Sequence, residues 1–108
     1  MANKDVKEYG FAGNLTLTSA TEINDMLKKV IEERADIAIV SMEKVERVDS
    51  SGLGGIFRFQ GELKRQEIKF ALIHVGSQPR HLFNFSMLDK LVPIFADKDE
   101  AIAALQKN

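Results

Sequence analysis

The sequence predicts an α/β fold with a largely parallel sheet, because strand-like and helix-like segments alternate along the chain. Two segments, 37–40 and 68–75, carry apolar residues on both alternating faces, which is typical of buried parallel strands. Amphipathic helical patterns precede and follow them. The order is strand, helix, four times over, and right-handed crossovers are expected to connect the strands.

The chain is short enough for a single domain. It has 108 residues, below the roughly 150 residues of an average domain. Its 44% apolar and 29% charged residues are ordinary for a globular protein. No stretch rich in Pro, Ser or Gly separates two parts, and we therefore expect one domain over residues 1–108.

Charge and cysteine content exclude several classes of function. With 15 Lys and Arg against 16 Asp and Glu, the net charge is -1, so nucleic acid is a poor candidate partner. The absence of Cys excludes disulfides, thiolate chemistry and iron–sulfur clusters. The sequence shows neither a signal peptide nor an apolar run of the ~18 residues that a membrane span needs. We expect a cytoplasmic protein that does not insert into membranes.

The N-terminal third predicts a weak strand region and a helix. Residues 6–17 fit the strand region, and residues 19–34 fit an amphipathic helix. Ser19 or Thr18 is the expected N-cap, and Glu22 completes a capping box with Ser19. The residues expected to face the core are Phe11, Leu15, Leu17, Ile23, Leu27, Val30 and Ile31.

The remaining elements follow from the same patterns. Pro79 suits the first turn of a helix, where its missing N–H is not needed, and Pro93 is tolerable in an edge strand. The predicted segments are strands at 37–40, 68–75 and 92–95 and helices at 50–66, 79–88 and 98–106.

The most informative segment is 48–55, Val-Asp-Ser-Ser-Gly-Leu-Gly-Gly, where an extended segment ends and a helix begins. One interpretation is purely structural, with Asp49 or Ser50 as the helix cap. A serine at a helix N-terminus is also a favourable phosphorylation site, because the first-turn N–H groups and the helix dipole stabilise an added anion. A phosphate beside Asp49 would repel a docked acidic partner.

A capping role alone does not explain the glycines at 52, 54 and 55. Each glycine costs ~1 kcal/mol relative to Ala inside a helix, so three in one turn indicate a close approach to the backbone. The approaching group is either the sheet or another molecule. The segment is not a P-loop, and Phe57 breaks any Gly-x-Gly-x-x-Gly pattern.

Neither a metal site nor a catalytic site is predicted. His74 and His81 are the only histidines and are far from forming a triad. The acidic run from Asp97 to Glu100 is typical of charge at a helix start. The basic residues between Arg58 and Lys69 are interrupted by Glu and favour a solvated helix face.

Phe59 has two possible roles. The expected buried face of its helix already contains Leu53, Ile56, Phe57 and Leu63, so Phe59 points elsewhere. Phe59 is then either a surface contact for a partner or a core residue packed against Phe85 or Met87.

Residues 45–54, Val-Glu-Arg-Val-Asp-Ser-Ser-Gly-Leu-Gly, resemble the signature of the STAS domain found in bacterial anti-sigma factor antagonists. The resemblance covers roughly residues 13–106. The flanking segments that also match are 39–42, 78–83, 88–95 and 97–105.

The resemblance implies an α/β fold with four or five strands in a mostly parallel, mixed sheet and about four helices. It implies a regulatory switch, not an enzyme, without cofactor or metal. In such antagonists the unphosphorylated domain binds a GHKL-type serine kinase that is also the anti-sigma factor. Phosphorylation of the Ser after the Asp, here Ser50, releases the domain from the kinase. A PP2C-type phosphatase then removes the phosphate. A monomer is expected. The implied partner-binding loop consists of Asp49, Ser50, Ser51, Gly52, Leu53 and Gly54.

The chain departs from the family pattern at two places. Family members often carry Gly-Glu-Leu-Asp after the first strand, where this chain has Gly-Asn-Leu-Thr at 13–16. Asn14 and Thr16 therefore stand where acidic residues help to meet the kinase, and both are candidate partner contacts. Gly is also common in the family where Met87 stands.

Two other classes of function remain open. The chain fits a constitutive interaction subunit of a signalling scaffold or of a lipid or anion transporter, with Ser50 as a helix cap only. A small enzyme or nucleotide-binding domain has the least support, because the sequence has no P-loop, no Cys and no paired His.

Overall fold

The computed structural model describes residues 4–106. Within them, four strands form one sheet in the order β1-β2-β3-β4, and every pair is parallel. This confirms the predicted α/β class. The sheet is neither mixed nor five-stranded over the described residues. The strands are β1 (Val6–Gly10), β2 (Ile37–Ser41), β3 (Lys69–Ile73) and β4 (Ile94–Phe95).

A helix follows each strand, as predicted. Two short 3-10 turns, Leu17–Ser19 and Leu88–Lys90, precede α1 and follow α3. The helices are α1 (Ala20–Glu33), α2 (Ser50–Arg65), α3 (Ser77–Ser86) and α4 (Lys98–Leu105).

The two faces of the sheet carry two separate apolar clusters. Because successive strand residues point to opposite faces, Ala38 and Val40 pack towards α1, α2 and α3, whereas Ile37 and Ile39 pack towards α4. The same alternation holds in β3. Val75 is an exception: His74 adopts φ 55° just after β3, and Val75 then packs with the first cluster.

The predicted strand region 6–17 is only partly a strand. β1 ends at Gly10, and Leu15 forms a single parallel bridge with Val48. Phe11 and Leu15 are buried as expected, but Leu17 is 76% exposed. The reason is the 3-10 turn, in which the Ser19 hydroxyl accepts from Thr16 N and donates to Asn14 O, so that Ser19 and not Leu17 turns inward.

The predicted Ser19–Glu22 capping box does not form. Ser19 occupies the N-cap position of α1 without a side-chain cap hydrogen bond. Glu22 instead accepts a hydrogen bond from Ala12 N at 2.8 Å. Its carboxylate thus fastens the loop after β1 to the first turn of α1.

Phe59 is a core residue, which corrects its assignment as a possible partner contact. It is 1% exposed, and its ring centroid lies 5.0 Å from that of Phe70 and 6.4 Å from that of Phe11. It does not pack on Phe85 or Met87, whose side chains are 90% and 61% exposed. The buried stripe of α2 is Gly52, Ile56, Phe59 and Leu63.

Candidate functional site

The segment 42–49 connects β2 to α2, which begins at Ser50. It leaves the carboxyl end of β2 and is anchored by three buried apolar side chains, Met42, Val45 and Val48. The residues between these anchors are exposed. Burial at every third position holds the backbone of this approach segment, 42–49, against the core.

Hydrogen bonds from the loop after β1 hold one side of the approach segment. Leu15 N donates to Arg47 O at 3.1 Å, and Asp49 N donates to Leu15 O at 3.0 Å. The Asn14 side-chain oxygen accepts from Glu46 N at 2.8 Å and from Arg47 N at 3.0 Å. The sequence predicted Asn14 as a partner contact, and the structure shows that its amide holds the approach segment.

A second amide fixes the segment from the other side. The Gln78 side chain, in the first turn of α3, accepts from Val48 N at 2.9 Å and donates to Val48 O at 3.1 Å. This pair of bonds satisfies both backbone groups of a residue that is only 2% exposed. Val48 is therefore held between Leu15 and Gln78.

Asp49, not Ser50, caps α2. Its Oδ1 accepts from Gly52 N at 2.9 Å, and its Oδ2 accepts from Leu17 N at 3.3 Å. Ser50 is the first helical residue and is exposed, and no hydrogen-bond partner for its hydroxyl lies among residues 4–106. The hydroxyl is therefore accessible beside a carboxylate that is already engaged.

Gly52 meets a strict steric requirement. A Cβ there would lie 2.2 Å from Leu15 O, so only glycine lets the start of α2 approach the Leu15 backbone. A Cβ at Gly54 would meet nothing within 4 Å, and Gly54 is exposed. The close approach inferred from the sequence is thus to the protein itself at Gly52, whereas Gly54 leaves open surface next to Ser51.

The outer surface of the site is a mixture of hydroxyls and one apolar group. Ser50 and Ser51 are exposed, Thr16 is half-buried, and its hydroxyl lies 3.2 Å from that of Thr18. Leu17 lies beside them, 76% exposed, with its N–H on the Asp49 carboxylate. One exposed leucine among hydroxyls is ordinary for a protein surface and does not by itself indicate a partner.

Other kinds of site find little support in the part of the chain that the structure describes. No three His, Asp or Glu residues between 4 and 106 converge as metal ligands. In the same range, none of the helices combines the length and the apolar character needed to cross a membrane.

A protein-family model confirms the resemblance. The model of the STAS domain matches residues 2–101. The chain belongs to the STAS domain family. The comparison with curated proteins gives no match.

Solved structures similar to this one include an anti-sigma factor antagonist and a sulfate transporter family protein. An anti-sigma factor antagonist from Mycobacterium paratuberculosis superimposes with a TM-score of 0.81 at 18% identity, over 100% of this chain and 91% of that one. A sulfate transporter family protein from Wolinella succinogenes gives 0.78 at 24% identity, over 92% and 83%. The Bacillus cell fate determinant SpoIIAA in its phosphorylated form gives 0.66 at 24%, over 97% and 95%.

Two residues of this STAS site escape sequence reasoning. Gln78 contacts Val48 across 30 positions, and no periodic pattern signals that contact. The sequence predicts Leu17 in the core, and its exposure follows from a 3-10 turn that has no apolar signature. The sequence predicts either Asp49 or Ser50 as the cap of α2, and the structure shows that it is Asp49.

Proposed function

We propose that this STAS domain is an anti-sigma factor antagonist that acts as a partner switch controlled by phosphorylation of Ser50. The unphosphorylated form binds a GHKL-type serine kinase that is also the anti-sigma factor. The kinase phosphorylates Ser50 and releases the domain, and a PP2C-type phosphatase resets it. The partner-binding loop is Asp49 to Gly54, as the family resemblance implies.

The observation that supports this proposal is the accessible Ser50 hydroxyl on a rigid support. Asp49 caps α2, so Ser50 has no structural hydrogen bond to lose. Asn14 and Gln78 hold the preceding segment at fixed distances. A kinase would therefore meet a hydroxyl in a defined position, which is what positioning for phosphoryl transfer requires.

Electrostatics gives the switch its direction. A phosphate on Ser50 brings ≈ -1.5 to -2 charge next to Asp49. The first-turn N–H groups of α2 partly stabilise that charge within the domain. A partner that faces this position with a carboxylate, in a partly desolvated interface, would lose several kcal/mol of binding energy, and ~1.4 kcal/mol already weakens binding tenfold.

The test is to map the phosphorylated residue. Purified wild-type protein is incubated with ATP and a native-host lysate, and phosphopeptides are identified by mass spectrometry. We expect phosphate on Ser50. Ser50→Ala is expected to abolish it, and Ser51→Ala, at the neighbouring exposed hydroxyl, is expected to retain it. Phosphate on Ser51 alone, or on neither residue, contradicts the proposal.

A second candidate is a constitutive interaction subunit, of a signalling scaffold or of a lipid or anion transporter. The likeness to the sulfate transporter family protein favours it. In that case the same exposed surface binds one partner permanently, and the charge at Ser50 has no regulatory role. Equal partner binding by Ser50→Ala and Ser50→Asp distinguishes it from the switch.

A further inference from the structure

A cleft opens where the sheet lacks a partner strand. β4 has only two residues, which pair with Leu72 and Ile73 at the carboxyl end of β3. Among residues 4–106, no strand pairs with the first half of β3 on that side. Leu72 N donates to Pro93 O, and because hydrogen bonding alternates along a strand, the N–H of Phe70 points to the same open edge.

Apolar and polar residues line this cleft in equal numbers. It has a volume of about 470 Å³, within the roughly 300–1,000 Å³ that is usual for small-molecule sites. Phe70 and Ile68 are each 8% exposed, and Pro93 and Leu105 are half-buried. Leu91 stands at the cleft with 51% of its surface exposed. The cleft is one of the places where this chain leaves apolar surface in contact with water.

The charges around the cleft are predominantly positive. Lys64, Lys69 and Lys90 line it with one acidic residue, Glu67, a net charge of +2 in a chain whose net charge is -1. No ion pair among residues 4–106 includes Lys64 or Lys90. Lys69 Nζ donates to Leu105 O at 3.2 Å. The adjacent Lys4 side chain and desolvation lower the pKa of Lys69.

We propose that this cleft binds a single-chain amphipathic carboxylate of medium length. The apolar chain packs on Phe70, Pro93 and Leu105, and the carboxylate faces Lys64 and Lys90. Single ammonium groups at the rim suit a small anion, and the apolar side chains between them suit a hydrocarbon chain attached to it. This site is independent of the partner switch, because Lys64 lies about 21 Å along α2 from Ser50, at ~1.5 Å per residue.

The test is a titration of the full chain, labelled with ¹⁵N, with decanoate below its micelle-forming concentration. We expect saturable amide shifts centred on Phe70, Leu91 and Leu105. 1-Decanol, which lacks the charge, is expected to bind about tenfold more weakly, and acetate, which lacks the chain, to give no shifts. These two probes separate the charge from the apolar contribution.

Variants locate the site. Lys64→Gln with Lys90→Gln is expected to weaken decanoate binding about three- to tenfold and to leave decanol binding unchanged. Lys28→Gln, at an exposed lysine of α1 outside the cleft, is the matched control and is expected to change nothing. Phe85 is an exposed aromatic residue outside the cleft. Shifts centred on Phe85, or loss of binding in Phe85→Ser, overturn the proposal. Equal binding of decanol and decanoate, or no saturable shifts, also overturns it.

Discussion

The side-chain amide of Gln78 forms two hydrogen bonds with the backbone of Val48, accepting from its N–H at 2.9 Å and donating to its carbonyl at 3.1 Å. The amide takes the place that a neighbouring strand would fill, on the opposite side of Val48 from Leu15. The position of Asp49 and Ser50 thus depends on a residue in α3.

We expect Gln78→Ala to destabilise the protein by about 2–3 kcal/mol. Both backbone groups of Val48 would lose their partners, and each hydrogen bond is worth ~1 kcal/mol with a further cost for a buried group left unpaired. Urea denaturation measures the change. The control is Asn84→Ala, at an exposed position of the same helix, with an expected cost below ~0.5 kcal/mol. Equal costs for the two variants would contradict the role of the amide.

Gly52 and Gly54 should respond to alanine in opposite ways. A methyl group at Gly52 meets the Leu15 carbonyl at 2.2 Å, so Gly52→Ala is expected to cost about 3 kcal/mol or more. Gly54 faces open space, and Gly54→Ala is expected to stabilise α2 by ~0.5–1 kcal/mol. Thermal unfolding of the two variants compares them directly. A stable Gly52→Ala variant would disprove the close approach of α2 to Leu15.

Met87→Gly should stabilise the protein. Met87 ends α3 with φ 66°, a left-handed conformation that costs an L-residue roughly 1–2 kcal/mol and costs glycine little. Part of this gain is offset by the greater entropy of glycine in the unfolded chain, so we expect a net gain of ~0.5–1 kcal/mol. The control is Asn84→Gly, inside the same helix, which should lose stability. If both variants lose stability, the conformation of Met87 is not a source of strain.

Asp49 and Ser50 should differ in their importance for folding. Asp49→Ala removes the helix cap and is expected to cost about 1–2 kcal/mol. Ser50→Ala removes a hydroxyl without a structural partner and is expected to cost less than ~0.5 kcal/mol. Calorimetry on the two variants measures both values. A cost for Ser50→Ala as large as that for Asp49→Ala would make Ser50 a structural residue.

The sheet and helices were predictable because their signals are local. Segments 37–40 and 68–73 have apolar residues at both odd and even positions. The structure places the odd and even positions of each strand on opposite faces of the sheet. The starts of α2 and α4 coincide with the N-caps Asp49 and Asp97, each of which accepts a hydrogen bond from a first-turn N–H. Such signals depend on neighbouring residues only.

The wrong assignments have identifiable causes. The buried stripe of α2 has the helical spacing i, i+4, i+7, i+11, but it begins at Gly52, which no hydrophobic pattern detects. Leu53 and Phe57 are half-buried and pack against the same cluster, as predicted, but Phe59, which the predicted face omits, lies deeper in it. Contacts between distant residues, such as Asn14 with Glu46, depend on the tertiary fold and leave no trace in the sequence.

The most direct test of the partner switch compares Ser50→Ala and Ser50→Asp as baits in a native-host lysate, with Ala104→Asp, at an exposed position of α4 on the other face of the sheet, as the charge-matched control. Bound proteins are identified by mass spectrometry. We predict that Ser50→Ala and Ala104→Asp retain an ATP-binding serine kinase and that Ser50→Asp loses it. The same partners on all three baits would contradict the switch and favour a constitutive interaction subunit.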